Sequence, residues 1–339
     1  WSVALPLPAP PALQTAAAQA DAARWMDGLV ELGVSGVRVE IAYPWLTAAY
    51  HDRRASDEPG YALDADHVLR AYADVVRAAR ARGLGVTIVH QSRDAADAPD
   101  VAAYYEQVRT SGGPRTRYRD ERGQEAVMIA GLLEPDALVM VSRPTVEARR
   151  FGDVDGAPVL DVSGWTRYID QAGGRIRRLM RADAPRLLAG TDTGDDRAIV
   201  EGFAALGTLD GIDLRMLVIG DADADHLLRV ADWADAVRRV APGKSVTLGE
   251  AHLAYRDPTA DGAAVEPAEG ADAAAWAELD VRFLELLDVL AQDAGLAGVS
   301  LDSPAALFRP APVEAPAGGT DVTPEIGPVG AALQLIAAR

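Results

Sequence analysis

Chemistry in this sequence gathers where apolar runs stop at ionisable side chains. In Ser245-Val246-Thr247-Leu248-Gly249-Glu250-Ala251-His252, a β-branched and aliphatic run ends in a carboxylate and an imidazole, with Pro242-Gly243 before it and Asp257-Pro258 after it. Other apolar runs stop in the same way. They end at Arg38 and Glu40 with Tyr43 and Trp45, at His90 and Gln91, and at Ser142, Arg143 and Glu147. Further along they end at Asp192, at Arg215 and Asp221, and at Asp302 and Ser303. Carboxylates among these residues can attack carbon or shuttle protons, and guanidiniums can fork onto a carboxylate, sulfate or phosphate. The aromatic rings of Tyr43, Trp45, Tyr50 and Tyr61 offer faces on which a sugar stacks. A plainer reading stands beside each of these. Glu250 can simply meet a neighbouring arginine, the arginines can be satisfied by acidic loops, and the aromatics can pack a loop.

The elements that present these residues repeat as strand, loop, helix and glycine. Strands are expected at 1–5, 36–42, 86–89, 137–141, 186–190, 212–218, 246–248 and 298–301. Helices are expected at 15–32, from Asp64 or Asp66 to Arg82, between Val101 and Leu133 with a break at Gly112-Gly113-Pro114, and at 163–183. Four more are expected at 195–206, 222–240, 272–294 and 329–338. The strands are continuously apolar rather than alternating, as in a parallel sheet covered on its outside. One closed (β/α)8 TIM barrel over 1–339 is the simplest arrangement. In it, residues just past the C-terminal ends of the strands face a common crevice. A doubly wound open sheet would bring a glycine-rich phosphate turn after an early strand. No G-x-G-x-x-G or Walker sequence is present, and Gly83-Leu84-Gly85 precedes its strand.

Composition narrows the chemistry further. A formal net charge of −18 opposes phosphate backbones, so nucleic acid is not an expected partner. There is no cysteine, which removes disulfides, thiolate nucleophiles and thiolate-held metals. No run of about 18 or more apolar residues occurs, so no membrane span is expected. His90, Glu250, His252 and Asp302 match no compact metal motif such as H-E-x-x-H, and G-x-S-x-G is absent. Neither a metal, a cofactor nor a serine nucleophile is expected. The chain starts at Trp1 rather than Met, which suggests a removed signal or anchor and a secreted or cell-surface protein; a cytoplasmic one stays open.

Four features together resemble the clan-A glycoside hydrolases of the cellulase and mannanase type. They are Gly36-Val37-Arg38-Val39, the strand ending in His90-Gln91, the lead-in Pro135-Asp136-Ala137-Leu138, and Glu250 closing the seventh strand. The resemblance runs over nearly the whole chain. It implies a retaining mechanism in which Glu250 is the nucleophile, Arg38 supports that carboxylate, and His90 lines a sugar subsite. It also implies an acid/base Glu after the fourth strand, within about 5.5 Å of the nucleophile. Here the chain departs, because Ser142-Arg143-Pro144 stands where Asn-Glu-Pro would be, and arginine does not act as a general acid near neutrality. The sixth strand departs too, with Arg215-Met216-Leu217 in place of His-x-Tyr. Glu147 is the first candidate substitute acid, and Glu40 a further one.

Two functions follow from this pattern. The first is cleavage of β-linked saccharides by retention, impaired by the loss of the usual acid. The second is a catalytically degenerate barrel that binds a saccharide or anionic glycan through Tyr43, Trp45, Arg143, Arg215 and His252.

Overall fold

The computed structural model describes residues 1–96, 98–192, 197–216, 224–251, 271–301, 307–308 and 326–338. Asp221, His252, Asp302 and Ser303 lie outside the described residues, as does the polar loop after Tyr255. Strands β1 (Ser2–Ala4), β2 (Gly36–Tyr43), β3 (Gly85–Ser92), β4 (Ala137–Val139), β5 (Arg186–Asp192), β6 (Gly211–Met216), β7 (Ser245–Ala251) and β8 (Gly298–Leu301) pair in sequence order. All pairings are parallel, and β8 returns to β1 to close an eight-stranded barrel.

The helices, in chain order, are α1 (Pro10–Leu13), α2 (Ala16–Glu31), α3 (Ala48–Asp57), α4 (Ala65–Ala81), α5 (Pro99–Arg109) and α6 (Pro114–Leu133). They continue with α7 (Pro144–Phe151), α8 (Val162–Met180), α9 (Arg197–Ala204), α10 (Ala224–Val240), α11 (Ala271–Asp293) and α12 (Pro328–Ala337). Among the described residues, none is long and apolar enough to cross a membrane.

Local chemistry accounts for these starts. The Thr15 hydroxyl accepts from Ala18 N at 3.2 Å, and the Asp64 carboxylate accepts from His67 N at 2.7 Å, so α2 and α4 begin where a side chain satisfies an orphan amide. Asp161 does the same for α8, accepting from Gly164 N at 2.7 Å. The structure differs from the sequence pattern in detail. Two short helices, α1 and α3, occupy stretches read as irregular, and β4 ends at Val139 rather than Val141.

The apolar strands face outward onto the helices and leave the barrel interior to their alternate residues. On β2, Val37, Val39 and Ile41 are fully buried against the helical layer, while Arg38 and Glu40 point the other way. One side of the interior is an apolar cluster of Val89, Ala137, Val139 and Leu188 from β3, β4 and β5, separate from the main core. The other side is charged. Arg38 crosses the barrel to Asp213 on β6, with Nη1 to Oδ1 at 3.1 Å and Nη2 to Oδ2 at 2.8 Å. Thr247 Oγ1 on β7 donates to Asp213 Oδ1 at 2.7 Å.

Room for this pair comes from a glycine. A Cβ at Gly249 would run into the Asp213 carboxylate, whereas a Cβ at the turn residue Gly243 would meet nothing within 4 Å. Gly249→Ala is therefore expected to lower stability by about 1–3 kcal/mol through overpacking. Gly243→Ala is expected to leave the urea midpoint nearly unchanged. Equal midpoints for the two variants would show that Asp213 has space to retreat.

Candidate functional site

The C-terminal ends of the strands bring Glu40, Gln91, Arg143, Asp192, Arg215 and Glu250 into one mouth. How Glu250 enters it depends on a backbone irregularity. Thr247 faces inward, so strict alternation would turn Leu248 outward, Gly249 inward and Glu250 outward onto the helices. Instead β7 bulges. Leu214 pairs with Leu248, but the next residue, Arg215, pairs with Glu250, and the register with β8 slips over the same stretch. The extra residue re-aims Glu250 to the inner side, where it forms an ion pair with Arg215.

Two layers of charge result. The lower is Arg38 with Asp213. The upper holds Arg215 with Glu250, Arg143 with Asp192 (Nη2 to Oδ2, 3.3 Å), and Glu40, whose Oε2 accepts from Gln91 Nε2 at 2.7 Å. Arg150 of α7 closes this side by donating to Ser92 O at 3.1 Å. Burial pushes the Arg143 guanidinium down, and the nearby Arg215 adds to this, while Asp192 opposes it. Glu40 opens to water through the mouth but lies deep in the crevice among protein atoms and charged neighbours. Burial raises its carboxyl above the ordinary range and the Glu250 carboxylate raises it further, against Arg215, Arg150 and Arg38.

Several residues expected in the mouth lie elsewhere. Arg38 does not bond to Glu250; its fork is taken by Asp213, and Glu250 feels only its charge. His90 is on the outer face of β3, fully buried, with Nε2 at 2.8 Å from Glu125 Oε2 of α6, so it does not line a sugar subsite. Strand alternation turns Gln91 to the inner face instead, where it meets Glu40.

Tyr43 also faces outward. Its ring stacks on Tyr105 at 5.7 Å between centroids and meets Tyr118 edge-on, and its hydroxyl donates to Glu121 Oε2 at 2.6 Å. Trp45 and Tyr50 pack against each other with almost no exposure, so these rings fill the wall rather than offer faces to a ligand. Arg93 does lie over Trp45, 5.5 Å from its ring centre.

Glu147 is the largest departure. It is fully buried, ion-paired with the equally buried Arg122, and accepts from Ser92 N at 3.0 Å and Ser142 N at 3.2 Å. Arg122 in turn donates to the carbonyls of His90 at 2.9 Å and Met140 at 3.1 Å. The pair clamps the ends of β3 and β4 to α6 and α7, and its carboxylate cannot reach the mouth as a proton donor.

Sequence reasoning passed over Asp213, Arg122, Glu125 and Arg150. For Asp213 a signal existed. Ile212-Asp213-Leu214-Arg215 carries charges two residues apart in an apolar strand, as Arg38 and Glu40 do on β2, which marks a charged inner face. For Arg122, inside an arginine-rich helix, no local signal separates the buried side chain from its exposed neighbours. Among the described residues, no three histidine or acidic side chains are grouped to hold a metal ion.

No family model matches the sequence, and no characterised protein matches it at the sequence level. Solved structures do share its fold. An endo-1,4-β-mannanase from Rhizomucor miehei superposes with a TM-score of 0.57 at 11% identity, over 89% of this chain and 85% of that one. An endo-β-1,4-mannanase from Thermotoga petrophila gives 0.59 at 12%, over 99% and 76%. A glycoside hydrolase family 5 enzyme from Prevotella bryantii gives 0.56 at 14%, over 93% and 86%. The chain thus has the (β/α)8 architecture of these glycoside hydrolases, and at such identities the similarity speaks for the fold.

Two expectations follow from the buried network. Glu147→Gln leaves the Arg122 charge without its counter-ion and is expected to cost about 3–5 kcal/mol. Arg122→Met with Glu147→Leu should cost less than the sum of the single changes in urea denaturation. Additive costs would mean that the two side chains do not act as a pair.

The second concerns Glu125, whose carboxyl burial pushes up to about 8, with Thr47 and the Leu46 amide opposing. Folded Glu125 keeps a proton that the unfolded chain gives up near its ordinary value of 4.5. Its contribution is whole below that value and is lost as pH rises towards 8. His90 acts in the opposite sense and at lower pH. Burial and the Arg122 charge depress it, so the unfolded chain takes up the proton first below about 6.5. The stability difference between the native protein and Glu125→Gln should therefore shrink from pH 6.5 to 8. A difference that is flat across this window would mean Glu125 is ionised in the fold.

Proposed function

We propose that this barrel binds β-linked saccharides at its mouth and cleaves them with retention, with Glu250 as the nucleophile. The observation that carries this reading is the bulge in β7, which turns Glu250 out of its alternating position and into the mouth against Arg215. A guanidinium beside Glu250 favours the ionised form that attack on an anomeric carbon needs. The fold neighbours include enzymes named as β-mannanases, which agrees with a β-linked substrate.

Arg143 stands where such an enzyme would carry its acid/base, so the proton for a poor leaving group has to come from another side chain. A general acid contributes roughly 10²–10⁴-fold. The rival reading, a barrel that only holds an anionic glycan, rests on Arg143 and Arg215. Both are already engaged by Asp192 and Glu250, which weakens their claim to an outside anion.

The test uses 2,4-dinitrophenyl 2-deoxy-2-fluoro-β-glucoside and the corresponding β-mannoside, whose leaving group departs without protonation. Incubation should add one glycosyl unit to the intact mass, peptide mapping should place it on Glu250, and Glu250→Gln should abolish it. Oligosaccharide binding by calorimetry without any such adduct would favour the binding protein instead.

A further inference from the structure

With arginine at 143 and Glu147 sealed behind Arg122, the proton for a leaving group has to come from elsewhere in the mouth. The layering of the barrel interior points to one side chain. On β2, Arg38 and Glu40 are two residues apart on the inner face, and on β6, Asp213 and Arg215 are spaced in the same way. Arg38 spans the interior to Asp213 at 2.8 Å, so the layer above sets Glu40 across from Arg215 and from the Glu250 that Arg215 holds.

The other inner carboxylates are committed to arginines, Asp213 to Arg38 and Asp192 to Arg143. Glu40 alone of these described inner carboxylates is both solvent-accessible and held by a neutral donor, Gln91 Nε2 at 2.7 Å. A carboxyl held by an amide can carry a proton. One forked by a guanidinium cannot do so cheaply.

We propose that Glu40, on the second strand, is the acid/base partner of Glu250. This rests on the reading of Glu250 as nucleophile. In the first step a Glu250 oxygen bonds to the anomeric carbon, the glycosidic C–O bond breaks, and the departing oxygen takes the proton of the Glu40 carboxyl. In the second step the Glu40 carboxylate takes a proton from water. The water oxygen bonds to the anomeric carbon, and the Glu250 ester bond breaks to return the carboxylate.

The electrostatics of the mouth suit this cycle. The groups facing Glu40 are Arg38 on its own strand, Tyr72 of α4, Arg150 of α7, Arg215 of β6 and Glu250 of β7. Its place deep in the crevice and the Glu250 charge hold the Glu40 proton on. Once Glu250 is esterified that charge is gone while the arginines remain, so Glu40 releases its proton more readily when it must serve as a base.

The experiment compares Glu40→Gln, Glu40→Ala and the native protein on β-linked gluco- and manno-oligosaccharides and on a 2,4-dinitrophenyl β-glycoside. Both variants should lose roughly 10²–10⁴-fold in kcat/KM on oligosaccharides. On the activated glycoside they should show a burst of dinitrophenol followed by slow turnover. Azide should restore turnover in Glu40→Ala and yield the β-glycosyl azide. The alkaline limb of the native kcat/KM profile should vanish in Glu40→Gln.

If Glu40→Gln, with native circular dichroism, cleaves oligosaccharides at the native rate while Glu250 still takes up the fluoroglycosyl label, the assignment of Glu40 is overturned and the nucleophile stands. If native protein takes up no label on Glu250 and turns over neither substrate, both fall.

Discussion

The buried bridge between Arg38 and Asp213 is the constraint around which the charged half of the barrel is arranged. Two full charges inside a protein are tolerated only when their hydrogen-bonding capacity is met, and here the guanidinium forks onto both carboxylate oxygens while Thr247 donates to one of them. The bridge also draws β2 and β6 together across the interior. It requires a residue without a side chain above it, which Gly249 supplies. The bulge that follows lets β7 continue beyond that glycine with Glu250 turned inward. One interaction thus links the packing of the barrel to the orientation of Glu250.

The same bridge changes what Arg38 can do. Its guanidinium is bound one layer below the strand-seven carboxylate, and Arg215 on the neighbouring strand pairs with that carboxylate. The arginines after β4 and on β6 form a set of ion pairs together with Arg38. Arg143 is balanced by Asp192, Arg215 by Glu250 and Arg38 by Asp213, so guanidiniums and carboxylates alternate round the mouth. Glu40 stands outside this set of pairs and is held by the neutral amide of Gln91.

Behind the mouth a second network fixes the wall. Glu147, Arg122, Ser92, Tyr118, His90 and Glu125 lie between β3, α6 and α7, joined by hydrogen bonds within the group and to the strand carbonyls, with His90 Nδ1 and Arg122 Nε left over. The tyrosines around it are closely packed, with Tyr118 and Phe151 only 4.6 Å apart between centroids. Such a network ties strand ends to helices. Its acidic residues are structural.

The eight-fold alternation and the covered parallel sheet were legible in the sequence, because apolar continuity in a strand and capped, periodic helices are local properties. The gathering of Glu40, Gln91, Arg143, Asp192, Arg215 and Glu250 at one end followed from that topology. What the linear pattern could not supply was the direction of individual side chains. His90 and Tyr43 sit at strand ends as expected, yet alternation turns both onto the helices, and Glu147 is drawn inward by an arginine 25 residues away. Glu250 is the reverse case. Alternation alone would have faced it outward, and only the slip of β7 against both neighbours brings it into the mouth. Strand pairing and long-range charge partners are settled between segments distant in sequence, and for that reason the tertiary structure, not the local pattern, decided which of the candidate residues face one another.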